Sequence, residues 1–162
     1  MSEVIKSPTF PQLLKNPVHL LAFGFGSGLS PKAPGTAGTV LAVLFYLPLS
    51  QLALPWYLLV VALTALLGIY LCGKTARDLG VHDHPGIVWD EFVGFWLAMA
   101  ALPATWCWIA AGFVLFRIFD IAKPWPIGWC DKRVHGGTGI MLDDLLAGIY
   151  SWIILFAAYQ FF

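Results

Sequence analysis

Long apolar stretches alternate with short polar segments along the chain. No Asp, Glu, Lys or Arg occurs in residues 33–73, 92–116 or 145–162. A transmembrane helix needs about 20 residues, so the first run, with 41 residues, is long enough for two helices. Pro48 and Pro55 stand near its middle, where we expect a turn. The pattern therefore predicts a membrane-embedded helical protein.

The second charge-free run, 92–116, has 25 residues and allows two interpretations. A single span would place Asp90 and Arg117 on opposite faces of the bilayer, about 35–40 Å apart. A hairpin that turns at Pro103 brings both charged ends to one side. It also places every Lys and Arg on that side, which the positive-inside rule makes cytoplasmic. We therefore predict an all-α, multi-helical membrane bundle of about five membrane segments, arranged as two hairpins plus a C-terminal helix.

The amino-acid composition excludes several classes of protein. Only 11% of the residues are charged, against roughly 25% in an average soluble domain, and the net charge is zero. Neither a nucleic-acid partner nor, with three cysteines and no CxxC pair, a disulfide framework is expected. We predict one domain over residues 1–162, with a flexible segment at 1–16, no signal peptide, and a short lead-in helix at 17–29.

The first polar segment, 24–39, contains five glycines and Lys32. Successive backbone N–H groups in such a loop can form an anion-binding nest. We expect Lys32, Gly35 and Gly38 to hold a phosphate. The alternative interpretation is a loop whose glycines only allow close packing against helices.

The second polar segment, 80–91, ends on two adjacent acids, Asp90 and Glu91. A carboxylate at a helix start gains from the helix dipole, but acids inside an apolar stretch are costly and usually mark function. The spacing of His82 and His84 on either side of Asp83 suits a transition metal, whereas a solvated loop is the plainer alternative.

The third polar segment, 117–144, adds basic groups, a second glycine-rich turn and another acidic pair. Arg117 and Asp120 share one helix face because they are three residues apart, so they could simply pair with each other. The other candidates here are Lys123, His135, Gly136, Gly137, Asp143 and Asp144.

Two acidic pairs beside the membrane would repel each other unless a cation neutralised them. Mg²⁺ binds carboxylate oxygens and keeps waters for substrate oxygens. We therefore expect Asp90, Glu91, Asp143 and Asp144 to hold Mg²⁺, with Asp83 or Asp120 as a further ligand or general base. The expected phosphate-binding groups are Lys32, Arg117, Lys123, Gly35, Gly38, Gly136 and Gly137.

The absence of several known motifs excludes other classes of phosphate-processing enzyme. The C-x5-R and DxDx[TV] patterns of covalent phosphatases and the D-G-x2-A-R signature of the CDP-alcohol phosphotransferases do not occur. The reaction type that remains is the attack of a metal-activated water on a phosphomonoester. A small ion- or proton-coupled transporter with a carboxylate relay is the alternative, but it would usually place charges near the bilayer midplane and contain an inverted repeat.

Four strings in order along the chain resemble the bacterial phosphatidylglycerophosphatase A family: GFGSGLSPKAPGTAGT (24–39), GVHDHPGIVWDEFVG (80–94), FRIFDIAKPWPI (116–127) and HGGTGIMLDDLLAG (135–148). The resemblance implies Mg²⁺-dependent hydrolysis of phosphatidylglycerophosphate to phosphatidylglycerol and phosphate.

The resemblance also implies a place for this reaction, the bacterial inner membrane, and we expect the active site on its cytoplasmic side. Mapped onto the resemblance, the candidate catalytic residues are Asp90, Glu91, Arg117, Asp120, Lys123 and His135. Of these, His135 is either the acid for the leaving glycerol oxygen or a structural histidine. The lipid substrate and the bilayer are the expected partners, and the oligomeric state stays open.

Overall fold

A computed structural model describes residues 6–162 as an assembly of helices, and this part of the chain contains no β-strand. The helices are α1 (Phe10–Leu14), α2 (Pro17–Ala22), α3 (Pro34–Leu49), α4 (Leu54–Leu79), α5 (Trp89–Ala98), α6 (Trp106–Ala122), α7 (Ile127–Arg133) and α8 (Gly136–Phe161). The all-α prediction is confirmed.

Helix α5 lies at the centre of the molecule. It packs against α3, α4, α6 and α8, and all its residues except Leu97 are buried. Because other helices enclose α5, its sequence has no polar face after the first turn. The indole Nε1 of Trp96 donates a hydrogen bond to the carbonyl of Ala42 at 3.0 Å, so even the polar atom of this side chain is satisfied internally.

Two turns connect the helices of the predicted hairpins. The first joins α3 to α4 directly after Pro48, and the second joins α5 to α6 around Pro103. Both turns line one small cavity of about 90 Å³, so they lie at the same end of the molecule. The turn predicted at Pro103 is therefore present, and it places the start of α5 and the end of α6 together at the other end.

Two helices, α4 and α8, are long and apolar enough to cross a bilayer. Helix α3 is apolar but shorter, and the ten residues of α5 extend only about 15 Å, against about 30 Å of hydrocarbon. The structure therefore confirms the all-helical class and the two predicted turns but not five membrane crossings. Much of α4 is exposed, as in Leu63 and Leu66.

The N-terminal region differs from the predicted lead-in helix. Helix α2 ends at Ala22 and is followed by a 3₁₀ segment, Gly24–Leu29, so a single helix over 17–29 is wrong. Positive φ angles interrupt it, including 57° at Phe25. Within the predicted segment 1–16, helix α1 buries Leu13 completely, and residues 1–5 lie outside the described residues.

Candidate active site

Close approach of α5 and α8 brings the two acidic pairs together. Asp90 and Glu91 occupy the first turn of α5, while Asp143 and Asp144 lie two turns inside α8. The helices cross where Gly94 faces α8, and a Cβ on Gly94 would stand 2.7 Å from the carbonyl oxygen of Asp144. A larger residue there would separate the helices, so this glycine positions the carboxylates.

The carboxylates form two groups that share one residue. Asp90, Asp143 and Asp144 can each place an oxygen within 4.8 Å of the others, and so can Glu91, Asp120 and Asp144. All except Asp120 are buried. The four ligands predicted from the sequence thus lie together, but as parts of two groups, with Asp120 as a member of the second.

Arg117 is the cation of the second group. It extends from α6 and its Nη1 donates to Glu91 Oε1 at 3.3 Å and to Asp120 Oδ2. The predicted pairing of Arg117 with Asp120 is therefore present, together with a partner from another helix. Gly35, in the first turn of α3, lies directly beside Glu91 and Arg117, so this predicted phosphate-binding residue is at the site.

Lys123 is the cation of the first group. Its Nζ donates to Asp143 Oδ2 at 2.6 Å and to Asp131 Oδ1 at 2.8 Å. Burial by itself would lower the pKa of Lys123, but the hydrogen bonds to Asp131 and Asp143 outweigh burial and raise the pKa above its ordinary value. Lys123 therefore stays charged and holds Asp143 in place.

Several buried polar atoms at the site have no hydrogen-bond partner within residues 6–162. They are Asp90 Oδ1, Glu91 Oε2, Asp144 Oδ2 and Arg117 Nε. Unpaired buried charges of this kind are strongly unfavourable. Oxygen atoms of carboxylates are the donors that Mg²⁺ prefers, so the unpartnered oxygens fit a hard divalent cation, and the free guanidinium N–H fits an anion.

The balance of charges at the site also favours a bound cation. Around these atoms the described part of the chain supplies six carboxylates but only two cations, Arg117 and Lys123. The carboxylates are those of Asp90, Glu91, Asp120, Asp131, Asp143 and Asp144. An excess of negative charge in a buried site is stable when further positive charge binds. The arrangement can therefore hold a cation that in turn binds phosphate oxygens.

Four of the predicted phosphate-binding residues show no contact with the two carboxylate groups in the described part of the chain. Gly38 packs on the side chain of Val88, as the close-packing alternative for the segment 24–39 described. Gly137 packs on the backbone of Ile69 in α4. A Cβ added to Gly136 would meet no atom of a residue beyond its chain neighbours within 4 Å, so Gly136 faces open space. Lys32 lines a separate cavity of about 500 Å³.

The histidines do not form the ligand set that their spacing suggested. His84 is buried, its Nδ1 accepts from the N–H of Gly86 at 2.9 Å, and burial lowers its pKa. His82 instead pairs with His135, with Nε2 and Nδ1 2.7 Å apart, and the pair is exposed. Asp83 is exposed and belongs to neither carboxylate group.

Two features of the site were missed in the sequence. Asp131 was overlooked because it stands directly before Lys132 and Arg133, in a stretch that reads as basic. Gly94 was interpreted only as part of an apolar run. Its position one turn after Asp90 was the available signal for a close helix contact beside the acids.

Known proteins are similar to nearly the whole chain. The sequence model of the family described as Phosphatidylglycerophosphatase A matches residues 20–159. The protein of that name from Escherichia coli is 56% identical over 144 residues, covering 88% of this chain and 84% of the relative. The protein of the same name from Haemophilus influenzae is 55% identical over 149 residues, covering 89% and 90%.

A third relative has a different name. The "Putative phosphatidylinositol-3-phosphatase" of Bacteroides thetaiotaomicron is 43% identical over 148 residues, covering 86% of this chain and 91% of the relative. No solved structure matches the chain. The matched region includes every residue of the two carboxylate groups.

Proposed function

Because this chain belongs to the phosphatidylglycerophosphatase A family, we propose that it hydrolyses the terminal phosphomonoester of phosphatidylglycerophosphate in bacterial phospholipid synthesis. The products are phosphatidylglycerol and inorganic phosphate. One observation supports this proposal most strongly: buried carboxylates with unpartnered oxygens lie beside a guanidinium with an unpartnered N–H. Such a site offers places for a cation and for a phosphate at once, which a proton relay does not need.

Three carboxylates would hold Mg²⁺ in this proposal: Asp90, Asp143 and Asp144. When bound, Mg²⁺ polarises a phosphoryl oxygen and increases the acidity of a water molecule. The group of Glu91 and Asp120 suits a metal less well, because Arg117 already forms ion pairs with both of these carboxylates. The ligand set expected from the sequence is thereby reduced, with Glu91 assigned to Arg117.

Arg117 would bind the phosphate. Its position is determined by contacts with Glu91 and Asp120 on two helices, so the guanidinium is held in place before the substrate arrives. Guanidinium groups form charge-assisted hydrogen bonds with phosphate oxygens. The first turn of α3 beside Gly35 adds the partial positive charge of a helix N-terminus.

The reaction transfers the phosphoryl group to water. A bond forms between the water oxygen and phosphorus, the bond from phosphorus to the glycerol oxygen breaks, and that oxygen leaves with a proton. Arg117 stabilises the charge on the phosphoryl oxygens during this step. Lys123 keeps the Asp143 carboxylate oriented, and the buried walls of α5 and α8 exclude bulk water from it.

The proposed topology is a five-segment bundle in the inner membrane with the charged end facing the cytoplasm. Both helix turns lie at the opposite end, where the loops contain no Lys or Arg. A reporter protein fused after Phe162 should then lie outside the cytoplasm. Cytoplasmic reporter activity would contradict this topology while leaving the chemistry unaffected.

The activity can be tested with purified protein in detergent micelles. Phosphate release from phosphatidylglycerophosphate is measured with Mg²⁺, with EDTA, and after Mg²⁺ is restored. We expect release that EDTA stops and Mg²⁺ restores. Phosphatidylinositol 3-phosphate serves as the competing substrate, because one relative carries a name for that activity. Absence of metal-dependent release from phosphatidylglycerophosphate would contradict the proposal.

A further inference from the structure

An apolar groove on the surface of α6 reaches the candidate active site. Its volume is about 440 Å³, and its lining residues are Phe113, Val114, Arg117, Ile118, Ile121 and Ala122. Three of these side chains are largely exposed: Val114 at 54%, Ile118 at 52% and Ile121 at 71%. The groove is therefore open along its length to whatever surrounds the protein.

Arg117 is the only charged residue of the lining. Its guanidinium contacts Glu91 and Asp120, so the same side chain belongs to the groove and to the site. A ligand with a phosphate at Arg117 and an apolar chain in the groove would satisfy both surfaces. This combination of one anionic group and one long apolar group is the chemistry of a lipid phosphate.

We propose that this groove holds an acyl chain of the lipid substrate while its phosphate lies at Arg117. The proposal rests on the proposed function and adds the route by which the lipid reaches the site from the membrane. Phe113 and Val114 continue the groove from Arg117 toward the α5–α6 turn. In the proposed topology this direction leads into the bilayer, so the head group and the chain have the orientation of a membrane lipid.

Two other apolar grooves do not have this property. One lies between α3 and α4 beside Trp96, and the other lies beside Leu97 and Trp152. Neither has a charged residue in its lining, so neither can place a phosphate. The charged Arg117 within its lining thus distinguishes the α6 groove from these two grooves.

Filling the groove tests the proposal. The double variant Val114→Trp/Ile118→Trp is compared with Leu63→Trp/Leu66→Trp on α4, whose original side chains are also more than half exposed. Each is assayed with dioleoyl phosphatidylglycerophosphate and with the deacylated compound glycerophosphoglycerophosphate. We expect the α6 variant to lose about tenfold or more in kcat/KM on the diacyl substrate, as for lost contacts to one or two methylene groups. Its rate on the deacylated substrate should equal that of the wild type.

The outcomes separate the two proposals. Equal losses on both substrates, or no loss on either, would overturn the groove assignment. A wild-type protein that hydrolyses neither substrate would overturn the proposed function instead. The α4 variant should behave as the wild type on both substrates.

A second measurement uses the unmodified protein, so it does not depend on the folding of a variant. Phosphatidylglycerophosphate with a photoreactive group in one acyl chain is bound in micelles and crosslinked, and the labelled peptides are identified. We expect labelling of residues 113–122 that excess unlabelled diacyl substrate abolishes and phosphatidylcholine does not. Labelling spread evenly over α4 and α6, or insensitive to competing substrate, would mean general contact with lipid and would overturn the proposal.

Discussion

Asp90 and Glu91 are neighbours in the chain but belong to different parts of the site. Asp90 joins Asp143 and Asp144, whereas Glu91 joins Asp120 and the guanidinium of Arg117. Successive residues of a helix point about 100° apart, because a turn contains 3.6 residues. One acidic pair on a single helix can therefore serve two separate groups.

The two groups differ in what they lack. Oxygens of Asp90 and Asp144 are buried with no partner in the described part of the chain, so their group needs an added cation. Each group contains one cation, Lys123 in the first and Arg117 in the second, and Glu91 Oε2 is unpartnered there as well. What sets the group of Glu91 apart is the unpartnered Nε of Arg117, so this group can also take an anion. Under the proposed function, the adjacent acids divide the work, with one group for the metal and one for the residue that binds phosphate.

The largest expected effect comes from the residue that the two groups share. Asp144→Asn should lower kcat/KM about 10³-fold or more, since a catalytic metal contributes several kcal/mol to transition-state stabilisation and each tenfold loss corresponds to about 1.4 kcal/mol. Phosphate release in micelles measures this. The control is Asp78→Asn, which changes an acid outside the site and should remain near wild type. A rate for Asp144→Asn within a few-fold of wild type would remove the shared residue from the site.

Arg117→Gln should have the next largest effect. Loss of one preorganised donor to a developing charge typically reduces kcat about 10²–10³-fold. The variant should still respond to Mg²⁺, because Arg117 does not belong to the metal group, and a titration of activity with Mg²⁺ checks this. A large increase in the Mg²⁺ concentration needed for half-maximal rate would contradict the division into two groups.

Glu91→Gln separates the two groups most directly. We expect a loss of about 10–100-fold in activity, the typical result of removing a group that orients an active residue. Saturating Mg²⁺ should still raise the melting temperature of this variant by about 5 °C, as in the wild type, but should not raise that of Asp90→Asn. If Mg²⁺ raises the melting temperature of neither variant, Glu91 is a metal ligand, and the division into two separate groups is wrong.

Asp131→Asn should have the smallest effect. Asp131 is 40% exposed and shares Lys123 with Asp143, so losing it removes one partly solvated ion pair worth about 1 kcal/mol or less. We expect kcat/KM to change by less than about fivefold. A loss as large as that of Asp144→Asn would show that Asp131 acts in the reaction itself.

Much of the site was predictable because residue types alone reveal which side chains can bind a cation or an anion. Carboxylates such as Asp90 and Asp144 stand out in apolar surroundings, where burial without a purpose is costly. The roles of glycines were less predictable, because a turn that binds phosphate and a helix that packs closely use the same residue. Gly38 and Gly137 were assigned to phosphate, yet each packs against another element.

The sequence by itself determined the helical class, the turn between Pro48 and Pro55, the turn at Pro103, and the family. These follow from local patterns, since apolar runs, charge-free intervals and motif strings need no knowledge of distant contacts. It also predicted five of the six acids that lie together in the structure, and missed Asp131.

Only the tertiary structure decided how those acids are grouped. The contact at Gly94 sets the distance between α5 and α8, and the turn at Pro103 returns Arg117 to Glu91 across 26 residues. Partners so far apart in the chain are chosen by helix packing and helix rotation, which depend on the whole arrangement. For that reason the division of the acids into two groups, one of them with Arg117, became visible only in three dimensions.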